Sequence, residues 1–122
     1  MKVVIDIECN RLHNPDQIWV IVAKDIDTGV RHIFRNVTKD EFCKTSFQSF
    51  WRGVSCVVGH NICGYDLPIL ASLLQCEVGE NGPSIIDTLI ISRMADYSGR
   101  KSHSIEDFGL EFGIEKGKFS DW

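Results

Sequence analysis

Lys2-Val3-Val4-Ile5-Asp6-Ile7-Glu8 is a β-branched, almost wholly apolar run that turns acidic at its end. An apolar run of this length, unbroken as far as Asp6, suits a central strand covered on both faces. Residues two apart on a strand point to the same side, so Asp6 and Glu8 converge at the end of an otherwise apolar element. Two unpaired carboxylates there repel each other and resist desolvation. A hard divalent cation with oxygen ligands answers both problems. The plainer alternative is a strand that runs into solvent at Asp6, with both acids wet.

Outward from this strand, Gln17 to Ala23 and Val30 to Phe34 are further strand candidates joined by the turn-rich Asp25-Ile26-Asp27-Thr28-Gly29, a hairpin signal. Thr38-Lys39-Asp40-Glu41 has the form of a capping box. Phe42, Phe47, Phe50 and Trp51 then recur at helical spacing, which predicts an amphipathic helix over 39–52 with an aromatic core stripe. Val54 to Val58 reads as a strand closed by Gly59-His60-Asn61, followed by a helix from Asp66 to Gln75 that accepts Pro68 in its first turn. Ser84-Ile85-Ile86 leads to Asp87, Thr88 to Ala95 has a helical pattern, and Ser104-Ile105-Glu106-Asp107 opens a last helix ending near Gly113. Three meander strands followed by alternating helices and strands give an α/β fold, a mixed sheet flanked by helices, in one domain over residues 1–122. Such sheets place their chemistry at the carboxyl ends of strands.

Composition narrows the function. A net charge of −4 argues against a general basic face that grips nucleic acid, though not against nucleic acid held through metal ions. No apolar run approaches the ~20 residues that span a bilayer, and Asp6 and Glu8 spoil a signal-peptide core, so no membrane is expected and the cytoplasm is. The five cysteines include no C-x-x-C pair and no zinc-finger spacing with histidine, and most of them read as small buried apolar side chains in a reducing compartment.

A second acidic feature lies in Gly59-His60-Asn61-Ile62-Cys63-Gly64-Tyr65-Asp66, a strand exit leading into a helix. Alone, Asp66 complements the helix dipole. Together with Asp6 and Glu8 it makes a two-metal site, in which ions roughly 3.5–4 Å apart clamp the attacking and leaving oxygens of a phosphodiester. Three carboxylates facing two divalent ions leave one net positive charge to attract a phosphate.

V-I-D-I-E-C-N at 4–10, G-H-N-I-C-G-Y-D-L-P-I-L at 59–70, I-I-D-T-L-I-I-S-R-M at 85–94, S-H-S-I-E-D-F-G at 102–109 and K-G-K-F-S-D-W at 116–122 form an ordered set. Together they resemble the N-terminal proofreading exonuclease domain of family A DNA polymerases, particularly the replicative polymerases of short-tailed lytic bacteriophages. The resemblance implies a ribonuclease H-like fold of the DnaQ superfamily and removal of nucleotides from DNA 3′ ends with two magnesium or manganese ions. Asp6 and Glu8 match that family's first motif and Asp66 its second, as catalytic metal ligands. Asn61 and Tyr65 match positions along the path of the 3′-terminal nucleotides, where an amide suits sugar or phosphate oxygens and a ring offers a stacking surface. Their plainer readings are a turn-making asparagine and a half-buried tyrosine. Leu12 reads as a wedge against the terminal base or as loop packing, and His103 as a DNA neighbour or part of a capping turn. Asp87-Thr88 also fits the pattern, and a helix cap accounts for it. Arg93, Arg100 and Lys101 are candidate phosphate contacts or simply solvated charges.

The resemblance also implies a fourth carboxylate from a Tyr-x-x-x-Asp helix, which has no match in these 122 residues. Asp121 follows a Gly-Lys-Phe-Ser connection, and Asp96 and Asp107 suit a helix end or a solvated face. The domain is thus expected to be incomplete at its C-terminal end, with a partial metal site and weak activity alone. The partners expected are a single-stranded DNA 3′ end and a polymerase chain supplying the third motif, in the host bacterial cytoplasm if phage-encoded. The rival reading is a catalytically inactive module that binds a 3′ end or a polymerase subunit. RNA as substrate is a third.

Overall fold

The computed structural model describes residues 1–96 and 102–114. The chain divides into two compact units, Met1–Asp87 and Thr88–Trp122. In the first, β1 (Lys2–Cys9), β2 (Ile18–Asp25) and β3 (Arg31–Arg35) form an antiparallel meander. On the other side of β1, β4 (Cys56–Gly59) and β5 (Ser84–Asp87) add in parallel, and the sheet order is β3-β2-β1-β4-β5. Helix α1 (Glu41–Arg52) leads from β3 to β4, and α2 (Asp66–Leu74) leads from β4 to β5. The mixed α/β sheet expected from the sequence is present, with β1 at its centre.

Register decides which face is dry. Ile5 stands opposite Ala23, Ile7 opposite Ile21, and Val3 opposite Val57, so these side chains share one side of the sheet. All are buried, in one cluster with Phe47 and Trp51 of α1 and Leu67, Leu70 and Leu74 of α2. Both helices therefore cover the same face. Phe34 of β3 meets Phe47 edge-on at 5.0 Å, and the Trp51 indole N–H donates to the Glu77 carbonyl at 2.8 Å. Burial of these apolar groups is the main force joining helices to sheet.

Two expectations need correction. Among the described residues β1 is buried on one side only: its burial alternates, and Val4 is 45% exposed despite its central place. Lys2, Val4, Asp6 and Glu8 share the side away from α1 and α2, which lets two acids sit in a strand with an apolar core face. The start of α1 also differs. Asp40, not Thr38, is the N-cap, accepting from the Phe42 and Cys43 N–H groups at 2.9 and 3.1 Å. The Thr38 hydroxyl instead accepts from the Ile18 N–H at 3.2 Å. Phe42 is 83% exposed because, five and nine residues before the buried Phe47 and Trp51, it falls on the far side of the helix, so the aromatic stripe narrows to Phe47 and Trp51, with Phe50 half-buried.

The second unit contains α3 (Thr88–Asp96) and α4 (Ile105–Phe112). The Ser104 hydroxyl caps α4 through the Asp107 N–H at 3.2 Å, and Gly113 ends it with φ of 73°, as the sequence anticipates.

Candidate active site

The site forms where β1 and β4 part. Their parallel pairing covers only Lys2 to Val4 against Cys56 to Val58, so the β4 side of β1 is unpaired by strand beyond that point. The Asp66 carboxylate fills the gap by accepting from the Ile7 N–H and from its own N–H. A helix that begins at Asp66 is thereby fixed to the carboxyl end of β1.

Between β4 and α2 the chain turns within a very small space. A Cβ on Gly59 would lie 2.2 Å from the Ile62 side chain and 3.1 Å from the Ile5 carbonyl oxygen, so only glycine fits. Asn61 takes φ of 58°, a left-handed conformation that asparagine tolerates better than most residues. Ile62 is buried and anchors the turn, while the Tyr65 N–H donates to the Asn61 carbonyl at 3.1 Å. The turn-making reading of Asn61 is thus realised, and its exposed side chain stays available to a ligand.

Across the site, Asp16 organises the loop carrying Leu12. It takes a 3.0 Å ion pair from Arg11 and a 2.6 Å bond from the Asn10 amide. Leu12 is 70% exposed, so loop packing does not account for it. Tyr65 crosses to this loop, its hydroxyl donating to the Arg11 carbonyl at 3.3 Å. Burial and a hydrogen bond with Cys9 push the tyrosine up to about 12.

Asp6, Glu8 and Asp66 open on one hollow of about 430 Å³, with Leu12, Asn61 and Tyr65 also on its wall. The last three are shared with an adjoining trough of about 710 Å³ that runs along Pro68, Ser72 and Leu73 of α2. Asp66 is 5% exposed, and burial followed by repulsion from Asp6 pushes its carboxyl up to about 7. Among the described residues no group of three or more His, Cys, Asp or Glu side chains converges closely enough to enclose a metal ion. In kind the donors suit a hard cation, because an ion between Asp6 and Asp66 would relieve their repulsion. The fit is that of a partial oxygen-donor set.

His60, Cys9 and Arg11 also line the hollow, none of them assigned from sequence. The largest omission is Asp87. Read as a helix cap, it lies at the carboxyl end of β5 with its oxygens accepting from the Asn61 and Cys63 N–H groups at 2.9 and 3.0 Å. The motif at 85–94 contains Asp87, but only the parallel register that sets it beside Gly59 shows which loop it holds. His103 belongs to the second unit, where its Nδ1 shares a 2.6 Å hydrogen bond with the Ser92 hydroxyl. Arg93 lies in the last turn of α3, and Asp107 in the first turn of α4. Arg100, Lys101, Asp121 and the 116–122 segment lie outside the described residues. Among the described residues, no helix is long and apolar enough to cross a membrane.

No protein-family model matches the chain, and no curated protein matches it in sequence. Solved structures do. A family B DNA polymerase from the hyperthermophilic archaeon Pyrobaculum calidifontis is similar over 94% of this chain and 18% of its own, at 18% identity and a TM-score of 0.65. The RNase D of Trypanosoma brucei in complex with RNA U12 is similar over 94% of this chain and 41% of its own, at 15% identity and a TM-score of 0.66. The same RNase D in a further structure covers 96% and 42%, at 16% identity and a TM-score of 0.66. The chain spans less than half the length of these proteins. At such low identity the likeness shows the fold alone, a ribonuclease H-like mixed sheet flanked by helices.

Proposed function

We propose that this chain is the 3′–5′ proofreading exonuclease portion of a phage-type family A DNA polymerase, hydrolysing 3′-terminal nucleotides with two divalent ions. The observation that carries this reading is the single hollow on which Asp6, Glu8 and Asp66 open, with Leu12, Asn61 and Tyr65 on its wall. Asp6, Glu8 and Asp66 would hold magnesium or manganese, which when bound supplies Lewis-acid activation of a phosphodiester. Asn61 positions a sugar or phosphate oxygen by its amide, Tyr65 stacks on a base, and Leu12 separates the terminal base from its neighbour. Burial and repulsion from Asp6 push the Asp66 carboxyl up to about 7, so a bound cation would compete with a proton there. A fourth carboxylate, on the Tyr-x-x-x-Asp helix that the resemblance implies, comes from a polymerase segment or partner polypeptide beyond these residues. His103, on the turn before α4, is a further candidate contact to the strand.

The test is nucleotide release from a labelled single-stranded DNA primer in manganese, with and without a polypeptide carrying the third motif. Cleavage that requires the added polypeptide and disappears in Asp6→Ala supports the split enzyme. Metal and primer binding without cleavage in any combination supports the inactive 3′-end-binding module instead, and absence of metal binding overturns the nuclease reading. A second substrate has specific support, since the fold is shared with an RNase D solved with RNA U12. Parallel reactions on ribo- and deoxyribo-oligonucleotides separate the two.

A further inference from the structure

We propose that Asp87 is a positioning residue of this site, a buried carboxylate on β5 that holds the 59–65 loop and, through it, Asn61 and Asp66 in place for metal and substrate. The inference rests on the nuclease reading above. Asp87 is only 5% exposed, and one carboxylate oxygen accepts from the Asn61 N–H at 2.9 Å while the other accepts from the Cys63 N–H at 3.0 Å. Two N–H groups two residues apart thus meet a two-pronged acceptor, the geometry in which a carboxylate outperforms any neutral side chain.

The place of this fork explains its effect. Asp87 stands beside Gly59 in the β4–β5 ladder, so it grips the chain just as that chain leaves the sheet. Two further backbone bonds of the turn, Tyr65 N–H to the Asn61 carbonyl and Leu67 N–H to the Ile62 carbonyl, are internal to residues 61–67. They shape the turn without aiming it. Aim comes from the buried Ile62 side chain, from the Asp66 tie to the Ile7 N–H at the far end of the loop, and from Asp87, and of these Asp87 holds Asn61 directly. Asn61 sits in a left-handed conformation whose N–H the fork satisfies, so releasing it frees the one residue of the loop least favoured to stay there.

Substitution by asparagine separates this role from helix capping. Asparagine and serine cap helices about as well as aspartate, so a cap survives Asp87→Asn and Asp87→Ser. The fork does not, because asparagine offers one carbonyl oxygen and sets an NH₂ against the second N–H. The experiment uses the full chain and both variants, with Val57→Ala as a core control of reduced stability. It reads amide hydrogen exchange at Asn61 and Cys63, manganese affinity by the free-ion EPR signal, and anisotropy of a labelled oligo-dT. Hydrogen bonds to a charged group predict exchange roughly tenfold to a hundredfold faster at those two amides. Manganese and oligo-dT affinities fall about fivefold or more in the Asp87 variants and stay within about twofold in Val57→Ala, the margin we set for a loop released rather than a fold weakened. The proposal is overturned if exchange at Asn61 and Cys63 is unchanged in both variants, or if Val57→Ala loses as much affinity as they do. Absence of manganese and oligo-dT binding in the wild-type chain overturns the nuclease reading instead, and exchange at the two amides still decides the brace.

Discussion

Asp66→Asn should stabilise the metal-free protein at pH 8 and leave it nearly unchanged at pH 4. The native carboxyl is pushed from an ordinary 3.8 to about 7, chiefly by burial and next by Asp6. An acid held above its unfolded value contributes no penalty below pH 4, where both states keep the proton. As pH rises from 4 to 7 the unfolded chain releases that proton first, so stability falls, and above 7 the loss is complete. At about 1.4 kcal/mol per pH unit, the full penalty is about 4 kcal/mol. The asparagine oxygen can still accept from the Ile7 N–H, so the variant removes the charge and keeps the tie to β1. Urea unfolding of both proteins at pH 4.5, 6 and 8 with EDTA gives the difference directly, and titrating groups not coupled to Asp66 cancel in it. Added manganese at pH 8 should then raise the wild-type midpoint and leave the variant's alone. A difference independent of pH, or a variant less stable than wild type at pH 8, would refute the reasoning.

Three further outcomes are expected. Gly59→Ala drives a methyl group into the Ile62 side chain, and urea titration should show a loss of about 1–3 kcal/mol. Asp40→Ala should lower stability by about 1 kcal/mol in thermal melts through loss of the α1 cap, identifying Asp40 rather than Thr38 as that cap. Tyr65→Phe gives up the bond to the Arg11 carbonyl, about 0.5–1.5 kcal/mol of stability in chemical denaturation. Its ring remains, so oligo-dT anisotropy should barely change, whereas Tyr65→Ala should weaken binding by about 1–3 kcal/mol.

Much of the architecture was legible because local patterns carry it. The β-branched run at 2–8, the turn at 25–29 and the stripe through Phe47 and Trp51 each announce an element that exists within two residues of its expected bounds. Where two local signals competed, sequence chose wrongly. Thr38 and Asp40 are both good caps, and only the approach of Ile18 from β2 draws the Thr38 hydroxyl elsewhere. The apolar reading of β1 failed for a related reason. Alternating burial of Val3, Ile5 and Ile7 depends on both helices covering one side, and hydrophobicity at Val4 does not reveal that side's neighbours.

Residue spacing by itself determined that Asp6 and Glu8 share a side of one strand and that Asp66 opens a helix, because strand and helix periods are properties of the local backbone. Only the tertiary structure decided that these acids open on a common hollow, that Asp66 is sealed from water beside Asp6, and that Asp87 grips a loop more than two dozen residues earlier. Strand order and register bring those groups together, and the charge repulsion and desolvation that set their chemistry arise from distances the linear chain does not contain.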